Sequence, residues 1–193
     1  MFRPTLTTAP ATLPVTLAEV KRQMVVDFDD DDDLITDYIT EAVSHFDGYA
    51  GILGRALINQ VWTQTYSKWS RCLRLPFPDV SSVTITYSDT AGDDQVVSTD
   101  DYEILEDAKS AYVRFKDTFT SPSLEDDVAA PISIAITTGY GAAESSVPAG
   151  IRSAIKFTVA QWYQNRDGLV EGAKKGVPNG AEIMARKYKR TEF

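Results

Sequence analysis

The chain has 193 residues, of which 19 are basic and 28 acidic, giving a net charge of −9. Its single cysteine, Cys72, excludes an intramolecular disulfide and is typical of a protein made in a reducing cytoplasm. No segment approaches the ~18 apolar residues that a membrane span requires. The first residues also lack the apolar core of a secretion signal. We therefore expect neither membrane insertion nor export.

The charge is distributed unevenly along the sequence. Residues 173–193 contain six basic and two acidic side chains, a net charge of +4, whereas the remainder contains 13 basic and 26 acidic side chains, a net charge of −13. An acidic body repels the phosphates of nucleic acids. A basic tail on such a body indicates an acidic partner or a neighbouring copy of the same chain.

The N-terminal third of the sequence predicts a helical hairpin. Thr16 and Glu19 have the spacing of a capping box, which marks a helix start, and this helix is expected to end near Val26. Apolar residues then recur at helical spacing between Leu34 and Phe46. The hairpin is predicted to occupy residues 16–50.

The middle of the sequence predicts strands. From residue 57 the apolar period changes to two, with β-branched and aromatic residues enriched, and a polar turn around Gly92 predicts a hairpin. The β-rich segment is expected to span residues 57–137 and to end at the turn Gly139-Tyr140-Gly141. Residues 148–166 then predict one long helix with proline in its first turn.

This segregation of helices and strands favours an α+β fold. We predict a helical core, made of the N-terminal helical hairpin and the long C-terminal helix, with a β-rich middle segment. Prolines among threonines and alanines predict an extended N-terminal arm at residues 1–14. One domain is expected at residues 15–168, followed by a basic tail at residues 169–193.

No set of residues suggests catalysis, a metal or a cofactor. The acidic run 27–33 lacks the glycine and the terminal glutamate of a calcium loop, and we interpret it as a helix N-terminus. His45 is the only histidine, and it is interpreted as a packing residue at the edge of the core. Cys72 has no histidine partner in a recognisable pattern and is expected to be a buried or half-buried structural thiol.

Two further features are interpreted as structural. Gly139-Tyr140-Gly141 lacks the Gly-Lys-Ser/Thr of a phosphate loop and is expected to be a strand-to-helix turn. An aromatic platform for single-stranded nucleic acid would need a basic groove, which an acidic body does not favour. Packing is therefore the expected role of the aromatic residues Trp62, Tyr66, Trp69, Trp162 and Tyr163.

The basic tail is the candidate binding segment. A short helix over residues 181–190 would carry Ile183, Met184 and Tyr188 as its apolar side, and a docking peptide for another protein is its expected role. The candidate docking residues are Lys174, Lys175, Ile183, Met184, Arg186, Lys187, Tyr188 and Arg190.

Short motifs follow one another in a defined order over residues 15–168. They are Val15-Thr16-Leu17-Ala18-Glu19-Val20-Lys21, Asp31-Asp32-Asp33-Leu34-Ile35, Gly54-Arg55-Ala56-Leu57, Val61-Trp62, Leu75-Pro76-Phe77-Pro78, Thr138-Gly139-Tyr140-Gly141, Val147-Pro148, Ile151-Arg152 and Trp162-Tyr163-Gln164-Asn165-Arg166. In this order and spacing they resemble the head–tail connector (adaptor) proteins of tailed bacteriophages and gene transfer agents.

The resemblance implies a structural subunit of the virion neck rather than an enzyme. Copies would assemble in the host cytoplasm into a ring below the portal protein, usually a dodecamer. This ring would extend the DNA channel, let DNA pass without specific binding, and provide a platform for a downstream neck, stopper or tail protein. The C-terminal tail would dock on the portal. Deleting residues 174–193 should then leave a folded protein that no longer joins portal-bearing heads.

Two alternatives remain open at this point. A stopper or tail-completion protein of the neck would bind the adaptor rather than the portal. A nucleic-acid-binding packaging factor would need salt-dependent affinity for DNA, which the net charge of −13 outside the tail disfavours.

Overall fold

The computed structural model describes residues 2–166 and 180–190. Helices and antiparallel sheets are both present, so the predicted α+β class is confirmed. The chain forms two compact units. We call the described parts of residues 11–58 and 140–189 the helical unit, and those of residues 1–10, 59–139 and 190–193 the β-rich unit.

The helical unit begins with helix α1 (Leu17–Met24), whose predicted capping box is confirmed. The Thr16 hydroxyl accepts a hydrogen bond from the backbone N–H of Glu19 at 3.2 Å, and the Glu19 carboxylate accepts one from the N–H of Thr16 at 3.3 Å. The helix ends at Val25, which adopts the left-handed conformation (φ 58°). It therefore stops slightly before the expected Val26.

Three more helices complete the helical unit: α2 (Asp32–Phe46), α3 (Ala149–Gln164) and α4 (Gly180–Ala185), which runs into a 3₁₀ turn at Arg186–Tyr188. Apolar side chains from these helices and from the loop after α2 form one core, and removing them from water drives the packing. Its fully buried members include Val20, Ile35, Ile39, Phe46, Leu53, Leu57, Ile151, Ile155 and Val159.

The β-rich unit contains two antiparallel sheets. One has five strands in the order β1-β2-β8-β4-β5, and the other has three in the order β3-β7-β6. The strands are β1 (Thr5–Thr8), β2 (Gln60–Tyr66), β3 (Cys72–Arg74), β4 (Val80–Ser88), β5 (Asp94–Val96), β6 (Tyr102–Glu106), β7 (Ala111–Phe115) and β8 (Ile132–Thr138).

Strand β8 is the centre of the five-stranded sheet. Its residues alternate between buried and half-buried, and Ile132, Ile134 and Ile136 are fully buried. Because side chains alternate across a strand, the three isoleucines share one face. Ile136 faces Trp62 on β2 and Val83 on β4, so the isoleucine stripe fixes the register of both neighbours.

Two strands were not predicted, and each lacks the pattern that reveals a strand. All four residues of β1 are exposed, so the threonine-rich arm shows no alternation. Strand β3 has only three residues, and only Leu73 among them is buried. The expectation that Cys72 is buried or half-buried was wrong. Its side chain is exposed because it points away from the face that buries Leu73.

Replacing Ile134 by alanine should lower the free energy of unfolding by about 2–5 kcal/mol, because it leaves a cavity at a fully buried position of the central strand. Urea denaturation followed by tryptophan fluorescence measures this loss. The matched control is Val128→Ala, at an exposed position, which should change stability by less than about 0.5 kcal/mol. Equal effects of the two substitutions would contradict the assigned core.

Candidate functional site

The first turn of α3 is joined to the start of α1 by an ion pair. The Arg152 guanidinium donates to Glu19, and both side chains are about three-quarters buried. Because Glu19 also closes the capping box of α1, one carboxylate fixes the start of α1 and holds α3 against it.

The last turn of α3 is joined to the acidic run before α2. The Asp31 carboxylate accepts hydrogen bonds from the Tyr163 hydroxyl and the Arg166 guanidinium, each at 2.6 Å. The bond from Tyr163, followed by that from Arg166, lowers the pKa of Asp31. The bond to Asp31 in turn raises the pKa of the Tyr163 hydroxyl.

Lys21 on α1 binds two further carboxylates of the acidic run, those of Asp29 and Asp32. Its ammonium group lies 2.7 Å from the Asp29 carboxylate and 2.6 Å from that of Asp32, and these two hydrogen bonds raise the pKa of Lys21. Asp32 is the first residue of α2, as the interpretation of the run as a helix N-terminus predicted. Within residues 2–166 and 180–190, no cluster of three or more acidic, histidine or cysteine side chains is arranged to hold a metal.

The Gly139-Tyr140-Gly141 turn is a structural joint between β8 and the segment that leads to α3. Both glycines have positive φ, 141° and 153°, and a Cβ on Gly141 would lie 2.5 Å from the Ser146 hydroxyl. The Tyr140 hydroxyl accepts a hydrogen bond from Arg55 at 3.1 Å. Arg55 and Tyr140 belong to two of the motifs that carried the resemblance, so these motifs meet in space.

Replacing Asp31 by asparagine should destabilise the protein at neutral pH and flatten its acid response. A carboxylate whose pKa is lowered in the folded state adds stability above its unfolded pKa of about 4, and this stability is lost as the pH falls through the lower folded pKa. Urea denaturation at pH 7 and at several values below pH 4 measures both effects. The exposed neighbour Asp30 provides the control variant Asp30→Asn. Similar curves for the two variants would show that Asp31 does not hold α3.

His45 lies at the edge of the helical core, in agreement with its interpretation as a packing residue. Its ring meets that of Phe46 edge-on, with centroids 5.1 Å apart. Its Nε2 atom lies 3.9 Å from the carboxylate of Glu182 on α4, and this contact is an ion pair only when the histidine is protonated.

The conspicuous aromatic residues divide between the two units. In the β-rich unit, Trp69 meets the rings of Tyr87, Phe115 and Phe119 at 5.5 Å and donates to the Pro122 carbonyl at 3.0 Å. In the helical unit, the ring of Trp162 packs edge-on against Tyr38. Trp62 and Tyr66 lie on β2, where the Trp62 ring packs against Phe77. These aromatic side chains therefore serve packing, as expected.

The structure gives the tail segment two faces. The small side chains of Ala181 and Ala185 are buried in the helical core, and Tyr188 packs against the same core. The ring of Tyr188 lies so close to Gly150 that a Cβ there would be 2.9 Å from it. The predicted candidates Lys174 and Lys175 lie outside the described residues.

The opposite face of the tail segment points to solvent. Ile183 is 61% exposed and Met184 41% exposed, and Arg186 and Lys187 are exposed beside them. We call these four residues the tail face. The expectation that Ile183, Met184 and Tyr188 form one apolar side was wrong, because Tyr188 packs inward.

The last candidate residue, Arg190, does not belong to the helical unit. Arg190 belongs to the β-rich unit, where its guanidinium donates to the carbonyl of Pro76. The packing of Ala181 and Ala185 also revises the expectation for deletion of residues 174–193. Such a deletion removes part of the helical core, so it would change folding as well as docking.

Replacing Ala185 by aspartate should release α4, because a carboxylate would then be buried without a partner. Met184→Asp places the same charge one residue earlier on the exposed face and should leave α4 in place. Hydrogen exchange of residues 180–190 measures the difference, with faster exchange expected in Ala185→Asp alone. Fast exchange in the unmodified protein would contradict the docked position of α4.

Among the described residues, no helix has both the length and the apolar character needed to cross a membrane. Residues 14–71 match the model of a family described as phage gp6-like head-tail connector protein. A comparison with curated proteins finds no match.

Three solved structures of gene transfer agent particles share the fold of this chain. A chain in the neck of an empty particle, computed with C6 symmetry, superposes with a TM-score of 0.79 at 19% identity. Chains from the native virion and from the native neck, computed with C12 symmetry, give TM-scores of 0.78 and 0.75 at 18% and 19% identity. Each match covers 100% of this chain and 97% of the other. The family model thus confirms the resemblance to the head–tail connector family over residues 14–71, and the solved structures show that the chain shares its whole fold with chains of gene transfer agent particles.

Proposed function

We propose that this chain is a structural subunit of a virion neck, a head–tail connector of the adaptor type. The observation that carries the proposal is the match of the entire fold to chains in particle necks computed with C6 and C12 symmetry. A subunit that repeats around such an axis contacts its neighbours through two different surfaces, and the contact closes into a ring. A dodecamer is the form that the proposal favours.

The electrostatics of the chain support a channel role. With a net charge of −13 outside residues 173–193, the body of each copy repels DNA phosphates. A ring lined by such copies would let DNA pass without holding it, because phosphate contacts dominate the affinity of proteins for DNA. No specific DNA site is needed for this role.

The tail face supports docking on a partner protein. Two exposed apolar side chains, Ile183 and Met184, lie beside the cations of Arg186 and Lys187. Apolar side chains and arginine are enriched in the centres of protein interfaces, and the cations favour an acidic surface. In an adaptor this partner is the portal protein, and the downstream side of the ring receives a stopper or tail protein. A stopper would instead bind the adaptor.

The proposal predicts that the chain adds to the portal ring of the same particle. Native mass spectrometry of the chain, alone and mixed with the purified portal, distinguishes the possibilities. Addition in near-equal numbers of the two chains supports an adaptor. Binding to a separately purified adaptor ring but not to the portal identifies a stopper, and binding to neither contradicts a role in the neck.

Reversing the charge of the tail face with Arg186→Glu and Lys187→Glu should abolish portal binding while leaving the fold intact, because both side chains are exposed. The matched control combines Lys68→Glu and Lys116→Glu, which make the same change in net charge at exposed positions of the β-rich unit. Equal portal binding by the two double variants would contradict docking through the tail face.

A further inference from the structure

The five-stranded sheet ends in two open edges. Strands β1 and β5 occupy its two ends, and no further strand of the described residues pairs with their outer sides. They are also the two described strands in which every residue is exposed. An open strand edge presents unpaired N–H and C=O groups, which makes it a template for another strand.

The exposed apolar side chains of the β-rich unit gather at these edges. Among its described residues, four large apolar side chains are exposed, and three of them lie on or next to β1 and β5. Phe2 and Leu6 belong to the β1 end and are 47% and 46% exposed, and Val96 on β5 is 66% exposed. Such clustering is typical of interaction surfaces, whereas scattered exposed residues need no explanation.

Lysine and proline commonly block edge strands, and neither occurs within β1 or β5. Both strands are short, and the pairing of β1 with β2 has a register shift between Leu6 and Thr8. The charges at the two ends are complementary. Arg3 is the one charged residue in the sequence from 1 to 18, whereas residues 89–101 contain five aspartates and no basic residue.

A groove beside β5 is large enough for a side chain from an added strand. It has a volume of about 420 Å³, and its lining combines Tyr87, Val96, Phe119 and Pro122 with the polar residues Ser98, Asp101, Thr118 and Thr120. In strand addition, backbone hydrogen bonds supply affinity and such a groove accepts alternate side chains of the incoming strand.

The direction of the strands fits a head-to-tail arrangement. Every neighbouring pair in the sheet is antiparallel, so β1 and β5, which are four places apart, run in the same direction. Copies related by rotation about an axis roughly along the strands would therefore pair β1 with β5 in parallel. Because the two edges differ, the contact is heterologous. Successive contacts of this kind form a closed ring when the rotations from copy to copy add up to a full turn.

We infer that the edge strand β1 of one copy pairs with β5 of the next copy, so that the five-stranded sheet continues from subunit to subunit around the ring. The apolar side chains of the N-terminal arm of one copy then enter the groove beside β5 of its neighbour. This inference rests on the proposed function, which supplies the ring, and adds the surface through which its subunits meet.

Cross-linking in assembled particles tests the pairing. The variant Leu6→Cys/Val96→Cys is made with Cys72→Ser, because Cys72 is exposed and would react. Neighbouring strands are about 4.8 Å apart, within reach of a short bifunctional maleimide. Particles purified with this variant as their only source of the chain should give a ladder of linked multimers. The matched control, Leu6→Cys/Val128→Cys, should give no ladder, since Val128 lies outside both edges.

A second comparison covers the case in which the cysteine variant does not enter particles. Val96→Lys adds an edge-blocking lysine at an exposed position and should abolish incorporation, whereas Val128→Lys should leave it unchanged. Equal incorporation of the two lysine variants, or incorporation of the cysteine variant without linked multimers, overturns the inference but not the proposed function. Absence of the unmodified chain from purified particles overturns both.

Discussion

Helix α3 is the element on which the helical unit depends, because it is held at both ends and buried along its length. Arg152 in its first turn pairs with Glu19, and Tyr163 and Arg166 at its end bind Asp31. Between them, Ile151, Ile155 and Val159 are fully buried. The partners of α3 lie more than 130 positions earlier in the sequence, and the intervening residues 59–139 belong to the β-rich unit. Such distant contacts are costly in loop-closure entropy, which two ionic joints and a continuous apolar stripe offset.

These contacts show what the motifs that resemble the connector family do in the folded chain. Glu19 with Arg152, Arg55 with Tyr140, and Asp31 with Arg166 each join residues of two different motifs. The acidic run resembles a metal site in its composition. Its carboxylates instead bind the side-chain cations of Lys21 and Arg166. The motifs therefore stabilise the fold by joining distant segments of the helical unit. The features suited to binding lie elsewhere, on the exposed tail face and on the two open edges of the five-stranded sheet.

The sequence pattern predicted the elements in which burial is periodic, and it failed to predict those in which burial is not. The capping box at Thr16, the strand β8 with its three isoleucines and the turn at Gly139 were all predicted, because each depends on local spacing. The order of strands in the sheets depends on pairing between distant segments and was not predicted. The tail helix was assigned the wrong apolar side because its core contacts come from Ala181 and Ala185, whose small side chains give a weak signal beside the larger Ile183 and Met184. Its two lysine candidates, Lys174 and Lys175, remain predictions.

If this chain is a repeated structural part of a neck, its place in the particle can be seen by electron cryo-microscopy. The measurement is made on purified particles that contain the chain, with the neck reconstructed both with and without imposed symmetry. We expect a closed ring of this fold between the portal and the tail, with an acidic inner surface and neighbouring five-stranded sheets joined edge to edge. Density for the fold in the capsid shell or along the tail tube, or its absence from the particle, would show that the chain is not a neck subunit.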